Sequence, residues 1–189
     1  MGFYQRLAEL WKQPKKNLGE IWRQRLIKIR REPVTVRLEH PTRPDRARAL
    51  GYKAKQGFIV VRQRVKRGPH KRPKKKKGRR SKTQTRRLTL RKNYQLIAEE
   101  RANKKFPNCE VLNSYYLAED GKHYWFEVIL VDRAHPAVLK DKRISFISKQ
   151  RGRVYRGKTS TGRKIRGLRH KGKGVEKARP SRRARKRLL

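Results

Sequence analysis

With 58 lysines and arginines against 14 aspartates and glutamates, this 189-residue chain carries a formal net charge of +44, and that much self-repulsion opposes compaction unless a polyanion supplies counter-charge. Hydrophobic residues make up 34 % of it, below the roughly 45–50 % of an average soluble domain, so it can support one modest core at most. No run approaches the roughly 18 apolar residues of a membrane span, the first eleven residues lack a secretory apolar stretch, and a single cysteine, Cys109, excludes an internal disulfide and any multi-cysteine zinc site.

The chain is therefore expected in the cytosol or nucleus, with Cys109 packed as a small apolar residue. Leu7, Leu10 and Trp11, then Leu18, Ile21, Trp22, Arg25 and Ile29, recur at spacings of three and four. They predict two N-terminal helices separated near Pro14. Arg23, Lys28, Arg30 and Arg31 fall on other faces of the second helix, which can pack on one side and meet phosphate on another. Pro41 and Pro44 bracket a turn, followed by a short helix over residues 45–50 that Gly51 closes. Around that turn Arg43, Arg46, Arg48, Lys53 and Lys55 form a basic cluster. Residues 58–65 alternate and are rich in β-branched side chains, the signature of a strand.

That strand runs into the first of two cationic tracts. Residues 62–92 and 151–189 hold 34 of the 58 lysines and arginines against one acid, Glu176. In the first tract the candidate phosphate contacts are Arg62, Arg64, Lys66, Arg67, Lys71, Arg72, Lys74, Lys75, Lys76, Lys77, Arg79, Arg80, Lys82, Arg86 and Arg87. Residues 68–85 contain no large apolar side chain, cannot offset their ordering entropy alone, and are expected to order only on binding. Residues 93–106 read as a helix ending before Pro107. Residues 111–117 and 123–131 flank Glu119, Asp120, Gly121 and Lys122, a hairpin signal because Asp-Gly tolerates a left-handed turn. Eight of the 14 acids lie in residues 94–150 beside nine lysines and arginines, so this nearly neutral stretch is the expected core. Residues 137–140 suggest a helical turn and residues 144–147 a last strand. Gly152 then opens the second tract, whose candidates are Arg153, Arg156, Lys158, Arg163, Lys164, Arg166, Arg169, Lys171, Lys173, Arg182, Arg183, Arg185 and Arg187. The chain thus divides into residues 1–61, helices and a first basic turn and strand belonging to the body; 62–92, a basic extension; 93–150, the helix and hairpin core; and 151–189, a basic C-terminal extension.

Residues 152–159 (GRVYRGKT) match the pattern of a phosphate-binding P-loop, and residues 128–132 (VILVD) imitate the strand that carries a magnesium-binding aspartate. A working loop must feed a helix, yet glycines at 162, 167, 172 and 174 leave little helical periodicity, and the repeated strand and helix units of a parallel sheet are lacking. The match is read as chance in Gly- and Lys-rich sequence. His40, His70, His123, His135 and His170 are too scattered for a metal site. The acid pairs Glu99–Glu100 and Glu119–Asp120 are explained by solvation or by pairing with Arg101 and Lys122. No catalytic residue, metal or cofactor is expected.

A solvated charged face alternates in sign, and these tracts do not, so nucleic acid is the expected partner. An anionic membrane would want an amphipathic helix, whereas the basic stretches are broken by Gly and Pro. No helix-turn-helix, zinc finger or basic zipper appears. A histone-like chromatin protein is the alternative, but its tails are typically rich in Lys and Ala. Here Tyr52, Phe58 and Tyr155 lie among Arg and Gly, which suits unpaired, stackable bases and folded RNA.

Residues 41–48 (PTRPDRAR), 50–57 (LGYKAKQG), 98–101 (AEER), 111–115 (VLNSY), 126–130 (FEVIL) and 162–164 (GRK) together resemble the e-type family of large-subunit ribosomal protein fifteen, found in archaea and eukaryotes. The lysine-rich middle tract and early C-terminus are closer to an archaeal version. The resemblance implies an α+β body, a small four-stranded antiparallel sheet with packed helices, and long basic extensions without a core of their own. It implies a structural constituent of the cytoplasmic large ribosomal subunit that binds large-subunit rRNA and adjoins other ribosomal proteins. It also implies no enzymatic activity, small-molecule substrate, membrane partner or homo-oligomer.

Overall fold

The computed structural model describes residues 2–68, 70–71, 77–79, 87–88 and 92–169. In chain order the elements are α1 (Phe3–Leu10), α2 (Pro14–Arg31), β1 (Thr35–Leu38), α3 (Pro44–Ala49), β2 (Phe58–Lys66), β3 (His70–Lys71), β4 (Arg87–Leu88), α4 (Tyr94–Lys105), β5 (Cys109–Glu119), β6 (His123–Asp132), α5 (Pro136–Leu139), a 3-10 turn (Ser145–Ile147) and α6 (Ser160–Ile165).

A four-stranded antiparallel sheet in the order β1-β2-β6-β5 forms the frame, giving the expected α+β class. Central strand β6 is buried from Trp125 to Val131, because both of its faces are covered. Phe126, Val128 and Leu130 pack with Val61, Val65, Val111 and the α4 residues Leu96, Ala98 and Ala102 on one face. On the other, Trp125 meets Trp11, Trp22 and Ile29 of the N-terminal helices together with Leu117, while Ile129 meets Ala47 of α3 and Tyr115. The N-terminal segment is thus a layer of the body. Cys109 is fully buried and unpaired, and desolvation raises its thiol to about 11.

α1 and α2 separate near Pro14 as expected, but α2 kinks at Gly19, whose φ of 44° lies in the left-handed region. Beyond the kink, Trp22, Leu26 and Ile29 form the packed stripe, and Ile21 is left 62 % exposed. Two further expectations are corrected. Residues 144–147 form no strand: the amide of Ser145 bonds the Asp141 carbonyl and that of Ile147 the Ile144 carbonyl, closing a 3-10 turn whose Ile144 and Ile147 fill a small cluster with Val131 and Val138. The fourth strand is instead β1, four residues paired from Thr35 opposite Gln63 to Leu38 opposite Val60. The hairpin forms as expected, but Gly121 does not use the left-handed conformation. The Asp120 carboxylate closes the turn by accepting the amides of Lys122 and His123.

Candidate nucleic-acid interface

Glu127 sits fully buried in the middle of β6, where desolvation raises its pKa. Its Oε2 accepts the Thr42 amide at 3.0 Å and the Tyr115 hydroxyl. The first of these bonds ties the Thr42 backbone to the sheet. Of the basic cluster, Arg46 and Arg48 are exposed, Arg48 with its guanidinium 5.8 Å from the Tyr4 ring centre. The other three cations are engaged. Arg43 pairs with Asp45 at 3.0 Å and lies 4.9 Å from the Trp11 ring centre. Lys53 and Lys55 converge on Asp141 at 2.5 and 2.9 Å, and these two ammonium groups hold its carboxyl far below the usual range.

Along β2, Arg62 is turned inward. It is 8 % exposed, donates through Nε and Nη2 to Glu32 and lies 3.9 Å from Glu127. Arg64 donates to the Arg30 carbonyl. Lys66 and Arg67 are exposed at the strand end, Arg67 lying 5.2 Å from the Tyr124 ring centre. The tract then leaves the sheet, and its two ends meet where Lys71 pairs with Arg87 across the short β3–β4 ladder. Lys77 and Arg79 are exposed. Arg72, Lys74, Lys75, Lys76, Arg80, Lys82, Arg86, Lys171, Lys173, Arg182, Arg183, Arg185 and Arg187 lie outside the described residues, as does most of the segment expected to order only on binding.

The root of the second tract is clasped to the body. Glu110 accepts the amides of Gly152 and Arg153 at 2.6 and 3.1 Å. Glu99, fully buried, accepts the hydroxyls of Ser114 at 2.5 Å and Thr159 at 2.7 Å. Burial raises the Glu99 pKa against those bonds. Val154 belongs to the α4 side of the core. Arg153 is buried with its guanidinium 5.1 Å from the Phe146 ring centre, and desolvation lowers its pKa. Arg156, Lys158, Arg163, Lys164 and Arg169 are exposed, and Arg166 is half-buried, donating to the carbonyls of Arg156 and Gly157.

This clasp disposes of the P-loop reading. A helix does follow, contrary to expectation, since Thr159 caps α6 by accepting the Gly162 amide. Yet the loop's first amides are already taken by the Glu110 carboxylate and its threonine hydroxyl by Glu99, so the donors that would cradle a phosphate are spent on the body. Gly157, at φ 62°, and Gly162 pack backbone to backbone: a Cβ on Gly162 would stand 2.6 Å from Gly157 Cα. β6, which ends in Asp132, runs antiparallel to both neighbours. The glycines serve close packing.

The remaining carboxylates also differ from expectation. Glu99 is solvated by no water-facing surface, Glu100 pairs with Lys92 rather than Arg101, and Asp120 bonds Arg30. Burial would raise Asp120, but the turn amides and Arg30 outweigh it and lower its pKa. Of the three aromatics named for stacking, Tyr52 and Phe58 pack on each other edge to face, while Tyr155 is 57 % exposed. Sequence reasoning missed Glu99, Glu110 and Glu127 as internal anchors. For Glu110 and Glu127 the available signal was a lone acid flanked by apolar residues inside a strand, which needs a partner to be buried; Glu99, next to Glu100, carried no such mark. Among the described residues there is no group of three or more His, Cys, Asp or Glu arranged for a metal, and no helix is long and apolar enough to cross a membrane.

A family model described as Ribosomal L15 matches residues 2–185. The chain is 52 % identical over 182 residues to the large ribosomal subunit protein eL15 of Methanocella arvoryzae, covering 94 % of this chain and 93 % of the relative. It is 54 % identical over 189 residues to that of Thermoplasma volcanium, covering 98 % and 96 %, and 53 % identical over 189 residues to that of Picrophilus torridus, covering 98 % and 97 %. All three relatives are archaeal.

Proposed function

The chain belongs to the e-type ribosomal L15 family of large-subunit proteins, a structural and non-enzymatic family, and from that premise we propose that it binds and braces folded large-subunit rRNA with basic arms rooted in a neutral body, beside neighbouring ribosomal proteins. The observation that carries this reading is the segregation of charge. Residues 94–150 balance eight acids with nine lysines and arginines, while residues 62–92 and 151–189 hold 34 cations and one acid. The body binds its own acids internally, and the arms are left to the polyanion.

In this reading the exposed contacts of the described residues include Arg46, Arg48, Lys66, Arg67, Arg156, Lys158, Arg163, Lys164 and Arg169, joined by the other cations of both tracts except Arg62 and Arg153. Arg62 and Arg153 act by holding the arm roots, not by touching phosphate. Recognition is by backbone position and RNA shape more than by base edges. The arms replace condensed counterions, so each neutralised phosphate adds roughly −0.7 to −0.9 to the slope of log affinity against log salt. Binding of the full chain to a large-subunit rRNA fragment, measured by filter retention from low to moderate salt, is expected to fall steeply. A slope corresponding to only one or two phosphates overturns the proposal.

A further inference from the structure

Between α4, α6 and the loop that joins the core to α6 lies a groove of about 410 Å³, within the roughly 300–1,000 Å³ of small-ligand pockets. Its wall is apolar. Leu96 and Val154 are buried there, and Ile165 is partly exposed. Tyr155 stands at the mouth with most of its ring in solvent, fixed at its far end because its hydroxyl donates to the Glu100 carbonyl at 3.3 Å. Lys92 and Arg156 line the rim, and the exposed cations of α6 lie close by in the chain. Lys92 is engaged by the Glu100 carboxylate, which also lines the groove, so Arg156 is the rim cation left to meet a phosphate, and an exposed aromatic face held against an apolar wall beside it has the chemistry of a stacking platform for an unpaired base.

We propose that this groove captures one unpaired rRNA nucleotide, its base stacked on Tyr155 and against Ile165 and its phosphate at Arg156. The inference rests on the rRNA-binding reading and adds to it a discrete nucleotide site on the body, distinct from the diffuse electrostatic grip of the arms. Because every base has a π-face, capture tolerates sequence and selects for a nucleotide already out of its helix. The site also gives the P-loop-like segment a role: its packed glycines and the Glu99 and Glu110 clasp hold Tyr155 in place.

The test uses the full chain bound to transcribed large-subunit rRNA, probed with reagents that together report all four bases. Wild type and Tyr155→Phe are expected to protect the same unpaired base, and Tyr155→Ala and Ile165→Asp to expose it. Tyr155→Ala should also lose about tenfold in affinity, the typical worth of one stacked base, with the salt slope unchanged. Tyr155 is at the surface, so an unaltered protection pattern elsewhere on the RNA establishes that the variant folds. Base reactivities identical in wild type and both disruptive variants overturn the site while leaving the arm mechanism standing, as does a protein neighbour cross-linked at position 155 in native subunits. Failure of the wild-type chain to bind the RNA at any salt overturns both readings.

Discussion

Burying a carboxylate costs several kcal/mol unless donors surround it, and this body contains two fully buried ones, Glu99 and Glu127. Each spends that cost on holding a surface feature: Glu127 fixes the Thr42 turn, and Glu99 fixes the root of the C-terminal arm. Desolvation raises both above the ordinary 4.5. Above pH 4.5 the unfolded chain releases protons that the folded body still holds, so these two groups make stability fall as pH rises toward their folded values. Asp141 acts in the opposite sense. Its carboxyl is held below 3.8 by Lys53 and Lys55, so its contribution is present above 3.8 and is lost as pH falls toward its folded value. Denaturant midpoints measured at fixed salt from pH 4.5 to neutrality are expected to decline with pH in the wild-type chain and to decline less in Glu99→Gln. Parallel curves for the two proteins would refute the assignment.

At the level of elements, β5 and β6 show how local rules are bent to fit both faces of the sheet. Their register slips between Val111 and Asn113 and again between Tyr116 and Ala118. The second slip lets Leu117 and Ala118, adjacent in sequence, both bury against the N-terminal helices. α6 is six residues long and could not stand alone; the Thr159 cap and the Gly157–Gly162 contact make it part of the body. Gly162→Ala places a methyl 2.6 Å from backbone, an overpacking that costs about 1–3 kcal/mol. Amide exchange over residues 152–165 is expected to accelerate while β6 keeps its protection. Unchanged exchange there would mean that the contact carries no strain.

For the molecule as a whole, the described core clusters end at Val154, whereas nine lysines and arginines follow His170. Truncation after Arg169 is therefore expected to leave the denaturant midpoint of the body unchanged and to reduce the salt slope of rRNA binding by up to about 6–8, at 0.7–0.9 per phosphate. A lower midpoint, or an unaltered slope, would mean that those residues serve the body and not the RNA.

Charge and hydrophobic pattern are properties of short windows, and what depends on them was legible in the chain: the polyanion partner, the near-neutral charge of residues 94–150, the hairpin, α4 and the break near Pro14, whereas the core also draws on β2, the N-terminal helices and Val154. The motif resemblance supplied the four-stranded sheet, but not which segments make it. Thr35–Leu38 is too short to announce itself as a strand, and the apolar run at 144–147 has no local mark that separates a strand from a buried turn. Only the tertiary structure decided that Arg62 and Arg153 point inward, that Lys53 and Lys55 share Asp141, and that a P-loop pattern became a clasp. Those outcomes depend on which acids the packed layers bring close, Glu32, Glu127, Asp141, Glu110 and Glu99, and partners so distant in sequence meet only once the layers have packed.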